Sequence, residues 1–359
     1  MASISQQSQS PRKFNTVAIG MTPRNGPWGG GNAFVKALTD KLTAENIDVV
    51  YDLKRSDIDI VLLMDPRPQS SSASFDHNDI QAYLQYVNED SLVIHRVNEC
   101  DERKNTIGIN QILRDANQYA DHTVFVSAWL RDLHLKQGMP AQPNTVINNG
   151  SDRNIFHNDG YQQWDGNEPL KLVTHHWSGN WNKGFDIYQQ LDQLLAEEPY
   201  RSKFAFTYIG NVPDDFTFHN STYIEPLSGK PLADALRQNH VYISASENDP
   251  GPNHQNEGAN CGLPFLYRPS GGLTEYCEGF GIAFTAETLE EKLLEMLEAY
   301  QQWRKKIVNY PYNAEAMASQ YLELFQTLIE QRDSYLQKRT WLKDSLWQSF
   351  MRKVNQWRL

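Results

Sequence analysis

Two carboxylates, Asp249 and Glu257, follow a short apolar run, Val241 to Ser244, in a stretch reading VYISASENDPGPNHQNEGANCGLPFLYRPSGGLTEY from residue 241 to 276. A second apolar run, Leu263 to Tyr267, leads into Gly271, Gly272 and Leu273. Carboxylates at the carboxyl end of a strand can accept hydrogen bonds from the vicinal hydroxyls of a sugar or ribose, and a Gly-Gly turn lets backbone N–H groups approach a phosphate. Sugar on one side and phosphate on the other point to a nucleotide-sugar. Pro250 and Pro252 flank Gly251 and donate no backbone hydrogen bond, which leaves the amides of Gly251 and Asn253 to hold a ligand from the first loop.

An anionic ligand needs positive charge. Lys183 and Gly184 open a segment whose Ile187, Tyr188, Leu191, Leu194 and Leu195 share one helical face. A lysine in the first turn of a helix opposes the macrodipole unless an anion sits there, so its position argues for phosphate. Gly29, Gly30 and Gly31 fall where a first strand, Phe14 to Ile19, hands over to a first helix from Asn32, with Asn32 as its expected N-cap. This loop has neither a Gly-Lys-Ser/Thr nor a GxGxxG spacing, so it is neither a P-loop nor a dinucleotide fingerprint. Asp57-Ile58-Asp59 has the spacing of a metal-binding DxD, yet it precedes a buried strand instead of ending one and reads as strand-edge solvation. His95 and Arg96 end another strand, Leu92 to Val97.

The order Asp249, Glu257, Gly262-Leu263-Pro264 and Gly271-Gly272-Leu273-Thr274-Glu275 resembles the donor-binding signature of the family 4 retaining glycosyltransferases, enzymes of the two-domain GT-B fold. Asp249 stands where that family usually has Glu. The resemblance implies that Glu257 holds the donor ribose, that Asp249 holds a hydroxyl of the donor sugar, and that Lys183 meets the diphosphate with the amides at Gly271 and Gly272. It further implies that the Gly29–Gly31 loop faces the donor phosphates and the acceptor, and that His95 faces the reacting sugar. Family members usually place an Arg five residues before the Lys. Ser178 occupies that position here, and Arg268, or alternatively His176, is the expected replacement. The segment VINNGSDRNIF, residues 146–156, is similar to the family's landmark at the end of the first domain.

Strand and helix signals alternate along the chain, as a parallel α/β protein requires. Strands are expected at 47–51, 58–64, 92–97, 123–127, 170–174, 206–209, 241–244 and 263–267. Helices are expected at 79–87, 109–119, 228–236 and 314–330, and from Thr288, capped with Glu291, through Tyr300. The fold implied is α/β: two Rossmann-like, doubly wound parallel sheets facing across a cleft. In it residues 14–157 form the acceptor domain, 158–168 a polar linker and 169–330 the nucleotide-sugar domain, with residues 1–13 a disordered tail. Residues 331–359 hold seven Lys or Arg against two Asp, a net +5 that leaves −16 on the rest of the chain. Leu342, Leu346, Phe350, Val354 and Trp357 recur at helical spacing there. A single amphipathic helix docked on the acidic first domain is the preferred reading, with peripheral contact to an anionic membrane as the alternative.

With 359 residues the chain can bury two cores. Its net charge of −11 argues against a general nucleic-acid binder. Cys100, Cys261 and Cys277 have no CxxC spacing, so reducing cytosol is the expected compartment, and no metal or cofactor is expected. The longest apolar run, Ile58 to Met64, is too short to span a bilayer. The function implied is transfer of a hexosyl group from a nucleoside diphosphate sugar to a hydroxyl acceptor of the glycan or glycolipid type, with retention and without a metal. The alternative is a catalytically silent domain that binds nucleotide-sugar or glycan.

Overall fold

Apolar runs buried on both faces and separated by amphipathic segments dictate parallel sheets covered by helices. The structure, a computed structural model, describes residues 14–24, 29–67, 70–342 and 345–358; the tail expected at 1–13 lies outside them. The first sheet contains β1 (Thr16–Ile19), β2 (Asp48–Val50), β3 (Ile60–Leu63), β4 (Leu92–Val97), β5 (His122–Phe125) and β6 (Asn144–Val146). With it run α1 (Gly30–Ala44), α2 (His77–Tyr86), α3 (Ile109–Asn117) and α4 (Ala128–Lys136). The second sheet contains β7 (Leu170–His176), β8 (Phe204–Gly210), β9 (Thr222–Ile224), β10 (Val241–Ser244), β11 (Phe265–Tyr267) and β12 (Gly281–Ala283). Its helices are α5 (Phe185–Leu194), α6 (Tyr200–Lys203), α7 (Gly229–Arg237), α8 (His254–Asn260), α9 (Leu273–Cys277) and α10 (Leu289–Ile307). The chain then continues through α11 (Ala314–Glu330), α12 (Arg332–Lys338) and α13 (Leu346–Arg358).

The strand orders are β2-β1-β3-β4-β5-β6 and β12-β11-β10-β7-β8-β9. Every pairing within these two sheets is parallel. The expected two doubly wound sheets are therefore present. In the second sheet β7 and β10 are neighbours from which successive strands run outward in opposite directions. That reversal opens a crevice at their carboxyl ends, where the segments holding Lys183 and Asp249 emerge.

Each lobe has its own core. In the first, Val17 and Ile19 of β1, Leu62 of β3 and Ile94 of β4 pack against Phe34, Val35 and Leu38 of α1. The same core takes in Met317, Tyr321, Phe325 and Ile329 of α11. In the second lobe Leu172, Phe206, Tyr208 and Ile243 meet Phe185, Tyr188 and Leu191 of α5 and Leu293, Met296 and Tyr300 of α10. The chain thus returns to the first lobe at α11. A division at 330 is too late, because the apolar face of 314–330 is used against α1 and not against the second sheet.

Local expectations fail where a side chain finds a better partner. Gly29, not Asn32, is the N-cap of α1; Asn32 lies inside the first turn and brackets Arg24, accepting from its amide and donating to its carbonyl. Thr288 precedes α10 but forms no capping box, because its Oγ1 accepts from the amide of Thr285 instead. Asp59 accepts from the amides of Asn15 and Thr16 at the start of β1, so it ties down the strand edge instead of being solvated.

The basic tail is two helices, α12 and α13, not one. It docks on the first lobe through arginines: Arg339 Nη2 lies 2.5 Å from Asp121 and Arg352 Nη2 lies 2.7 Å from Glu89. Of the expected apolar stripe Leu342, with Trp341, packs on the first-lobe core, the side chain of Trp357 lies outside the described residues, and the α13 part turns outward. Leu346, Trp347 and Phe350 are 94%, 64% and 56% exposed.

Candidate active site

A cleft of about 1060 Å³ lies between the lobes. Gly29, Gly30, Gly31, Arg96 and Arg103 line it from the first lobe, and Ser178, Lys183, Asp249, Gly251, Asn253 and Glu257 from the second. The lobes touch at its mouth, where a Cβ on Gly30 would collide with Asn253 Nδ2.

Lys183 is placed by a 3-10 turn, Trp181–Lys183, that precedes α5, so it stands before the helix and not in its first turn. Gly184, at φ 99°, makes the change of direction that starts the helix, and its approach to Ala245 leaves no room for a Cβ. Lys183 Nζ lies 2.7 Å from Asp249 Oδ2, and Arg103 Nε lies 3.8 Å from the same oxygen. Burial alone would raise the Asp249 pKa, but Lys183 and Arg103 overcome it and hold the carboxyl well below its ordinary range. Burial pulls Lys183 down while Asp249 opposes it. Asp249 also keeps Arg103 above its ordinary value. Two cations from opposite lobes therefore share one buried carboxylate.

Glu257 projects from α8, and its Oε2 lies 2.7 Å from His175 Nε2 at the end of β7. His175 Nδ1 lies 3.1 Å from the Tyr242 hydroxyl. A proton on Nε2 satisfies both contacts: His175 donates to Glu257 and accepts from Tyr242. The other Glu257 oxygen has no hydrogen-bond partner among the described residues.

Other expected site residues stand elsewhere. His95 is fully buried, with Nδ1 2.9 Å from Asn117 Oδ1, and burial lowers its pKa to about 4. It does not line the cleft, because side chains alternate along β4 and Arg96 takes the cleft side. Arg268 is committed to Asp186 and Glu247, away from the cleft lining. His176 lines the cleft, but burial holds its pKa well below the ordinary value and its Nε2 meets the Tyr188 hydroxyl at 2.8 Å. Neither replaces the missing Arg at Ser178.

Gly271, Gly272 and Leu273 are also absent from the lining. Gly272 donates its amide to the carbonyl of Asp249 at 2.8 Å, and a Cβ on Gly271 would lie 2.7 Å from the Asp249 amide nitrogen. The Gly-Gly turn supports the Asp249 loop from behind. Glu275 then reaches the other lobe, accepting from the amides of Ala128 and Trp129 at 2.9 and 2.7 Å and so closing the N-terminus of α4. Leu273 is fully buried in the core of the second lobe.

Sequence reasoning missed Arg103 and His175. Arg103 lies in a charged loop, CDERK, whose approach to the other lobe depends on how the lobes face each other; its place just after the carboxyl end of a strand is the one signal it carries. His175 sits at the end of an identified strand, next to the loop that holds Lys183, and that placement is its signal.

No protein-family model matches the chain, and no curated protein matches it. Solved structures do. Sucrose-phosphate synthase from Thermosynechococcus elongatus is 13% identical, with a TM-score of 0.60 over 88% of this chain and 99% of its own. AviGT4, a glycosyltransferase involved in avilamycin A biosynthesis, is 15% identical, with a TM-score of 0.59 over 88% and 98%. Anabaena HepE in complex with UDP-glucose is 13% identical, with a TM-score of 0.59 over 90% and 100%. At these identities the likeness is one of fold, and on it the chain has the GT-B fold and resembles the GT-B glycosyltransferases.

Proposed function

We propose that the chain is a retaining glycosyltransferase of the family 4 type that moves a hexosyl group from a nucleoside diphosphate sugar to a hydroxyl acceptor. The observation that supports it most is the convergence of Lys183, Arg103 and Glu257 on one cleft at the strand-order reversal of the second sheet. Lys183 and Arg103 meet the diphosphate, Arg103 supplying the cation that Ser178 lacks. Glu257 accepts from the ribose hydroxyls, held by His175, and Asp249 fixes both cations while offering its free oxygen to a sugar hydroxyl. Trp177, Ile209 and Leu232, also in the lining, give the nucleobase an apolar wall.

In this reading the bond between the anomeric carbon and the leaving phosphate oxygen breaks as the acceptor oxygen bonds the same face. The acceptor proton passes to the departing phosphate, and the nucleoside diphosphate leaves. Catalysis is positioning and electrostatic stabilisation, and we assign the stabilisation to the protein's cations, so transfer should persist in EDTA. We also propose that the exposed apolar face of α13, in a tail of net charge +5, contacts an anionic membrane surface.

Thermal shift against UDP-, GDP- and ADP-sugars tests the donor, since a ligand at a hundred times its Kd adds about 2.7 kcal/mol. Stabilisation by none of them would overturn the reading. The second reading, a silent binding domain, is favoured by the closure of Lys183 onto Asp249; stabilisation without release of nucleoside diphosphate would select it.

A further inference from the structure

The two cations assigned to the donor, Lys183 and Arg103, share the Asp249 carboxylate. Arg96, on the first-lobe wall, faces no carboxylate among the described residues. It is 1% exposed and lines the cleft. Its Nη2 donates to Asn149 Oδ1 at 2.8 Å and its guanidinium lies 4.0 Å from the centroid of Phe34, while Nε and Nη1 make no well-formed hydrogen bond among the described residues and have only the neutral Tyr321 hydroxyl to interact with. The ionisable groups that face it are the phenols of Tyr321 and Tyr276, and burial pulls its pKa down with no carboxylate opposing. A buried guanidinium without a counter-charge is costly unless an anion arrives.

Two further features of this wall attract an anion. The 15-residue α1 starts after its N-cap Gly29, which offers no side-chain cap, and has no acidic residue in its first turn; Gly29, Gly30 and Gly31 line the cleft. Lys36, further along α1, lines it as well. The carboxylates of Asp40, Asp152 and Glu315 also border this part of the cleft, but all three residues are exposed.

We propose, on the donor reading above, that this wall receives an acceptor whose hydroxyl-bearing unit has a fixed negative charge, a phosphate or a carboxylate, held by Arg96, the first amides of α1 and Lys36. The donor diphosphate and the acceptor anion would then be held by separate cations of one cleft.

The test uses the full chain saturated with UDP, so that the donor cations are occupied. Inorganic phosphate and sodium acetate are titrated against chloride at constant ionic strength, and thermal stability is read. A saturable rise above chloride is expected, lost in Arg96→Gln and weakened several-fold in Lys36→Gln. A response to phosphate alone assigns a phosphorylated acceptor, and a response to acetate a carboxylate. Arg96→Lys retains the charge and should keep part of the response, which separates loss of charge from loss of fold. No response beyond chloride in the UDP-bound wild type, or an equal response in Arg96→Gln, would overturn the proposal. Should Arg96 serve only to hold Asn149, Arg96→Gln would weaken stabilisation by UDP and leave the phosphate response intact. Failure of UDP to stabilise the wild type would instead count against the donor reading, and the anion titration without UDP would still report on Arg96.

Discussion

Lys183 Nζ and Asp249 Oδ2 form an ion pair of 2.7 Å at the floor of the cleft. A ligand that takes the lysine must compete with, or share, that carboxylate. Removing the lysine removes a charge-assisted contact of about 1.5 to 3 kcal/mol. Lys183→Ala should therefore lower kcat/KM roughly ten- to a hundredfold, and Arg103→Ala should fall in the same range. Steady-state kinetics on the donor identified by thermal shift checks both, and activity within about twofold of wild type would discard the assignment.

Asp249→Asn leaves two cations facing one neutral amide. Its stability at neutral pH should drop by about 3 to 5 kcal/mol, the usual loss when one partner of a buried pair is removed. Because the Asp249 pKa is depressed in the fold, the stabilisation it gives is complete above its unfolded value and is lost as pH falls below it. The gap between wild type and variant in urea unfolding should narrow below about pH 4.

His95 responds to acid in the same direction, over a higher range of pH. Its folded pKa is lowered from 6.5 to about 4 by burial, so between these values the unfolded chain binds the extra proton. Stability is full above pH 6.5 and falls as pH drops towards 4, by an amount on the order of 3 kcal/mol for this group. His95→Gln should flatten that part of the pH–stability curve; an unchanged slope would contradict the burial argument.

Gly271→Ala tests the support behind the Asp249 loop. Its φ of 60° and the 2.7 Å approach of a Cβ to the Asp249 amide nitrogen both oppose the substitution. A loss of at least about 1 kcal/mol is expected, with weaker stabilisation by UDP. If the Gly-Gly amides met the phosphate directly, affinity would fall without loss of stability.

The tail separates docking from membrane contact. Arg339→Ala breaks a pair whose side chains are almost fully buried and should destabilise the fold by about 3 to 5 kcal/mol. The triple substitution of Leu346, Trp347 and Phe350 to Ser should leave stability unchanged and abolish sedimentation with anionic vesicles. Vesicle binding that survives it would exclude this face.

The strands are legible in the sequence because apolar runs buried on both faces admit few other readings: β4 and β10 fall where the sequence puts them. Lys183, Asp249 and Glu257 are legible for the same reason, as each follows an identified strand. What is not legible depends on facing. Alternation along β4 says that His95 and Arg96 point opposite ways, not which meets the cleft. Helical spacing says that α13 has an apolar stripe, not that Arg352 and Asn355 would be the residues against the first lobe. Glycines mark a tight turn, and whether ligand or protein fills the space beside it is a tertiary fact.

Glu275 joins the lobes far from Lys183 in sequence, and Tyr276 beside it donates to the carbonyl of Val126 while accepting from the amide of Asn149. These bonds clasp the two lobes beside the Asp249 loop, where Asn149 Nδ2 also donates to the carbonyl of Gly251. The halves can swing apart there only by breaking them, so a motion that keeps them intact must pivot about this clasp.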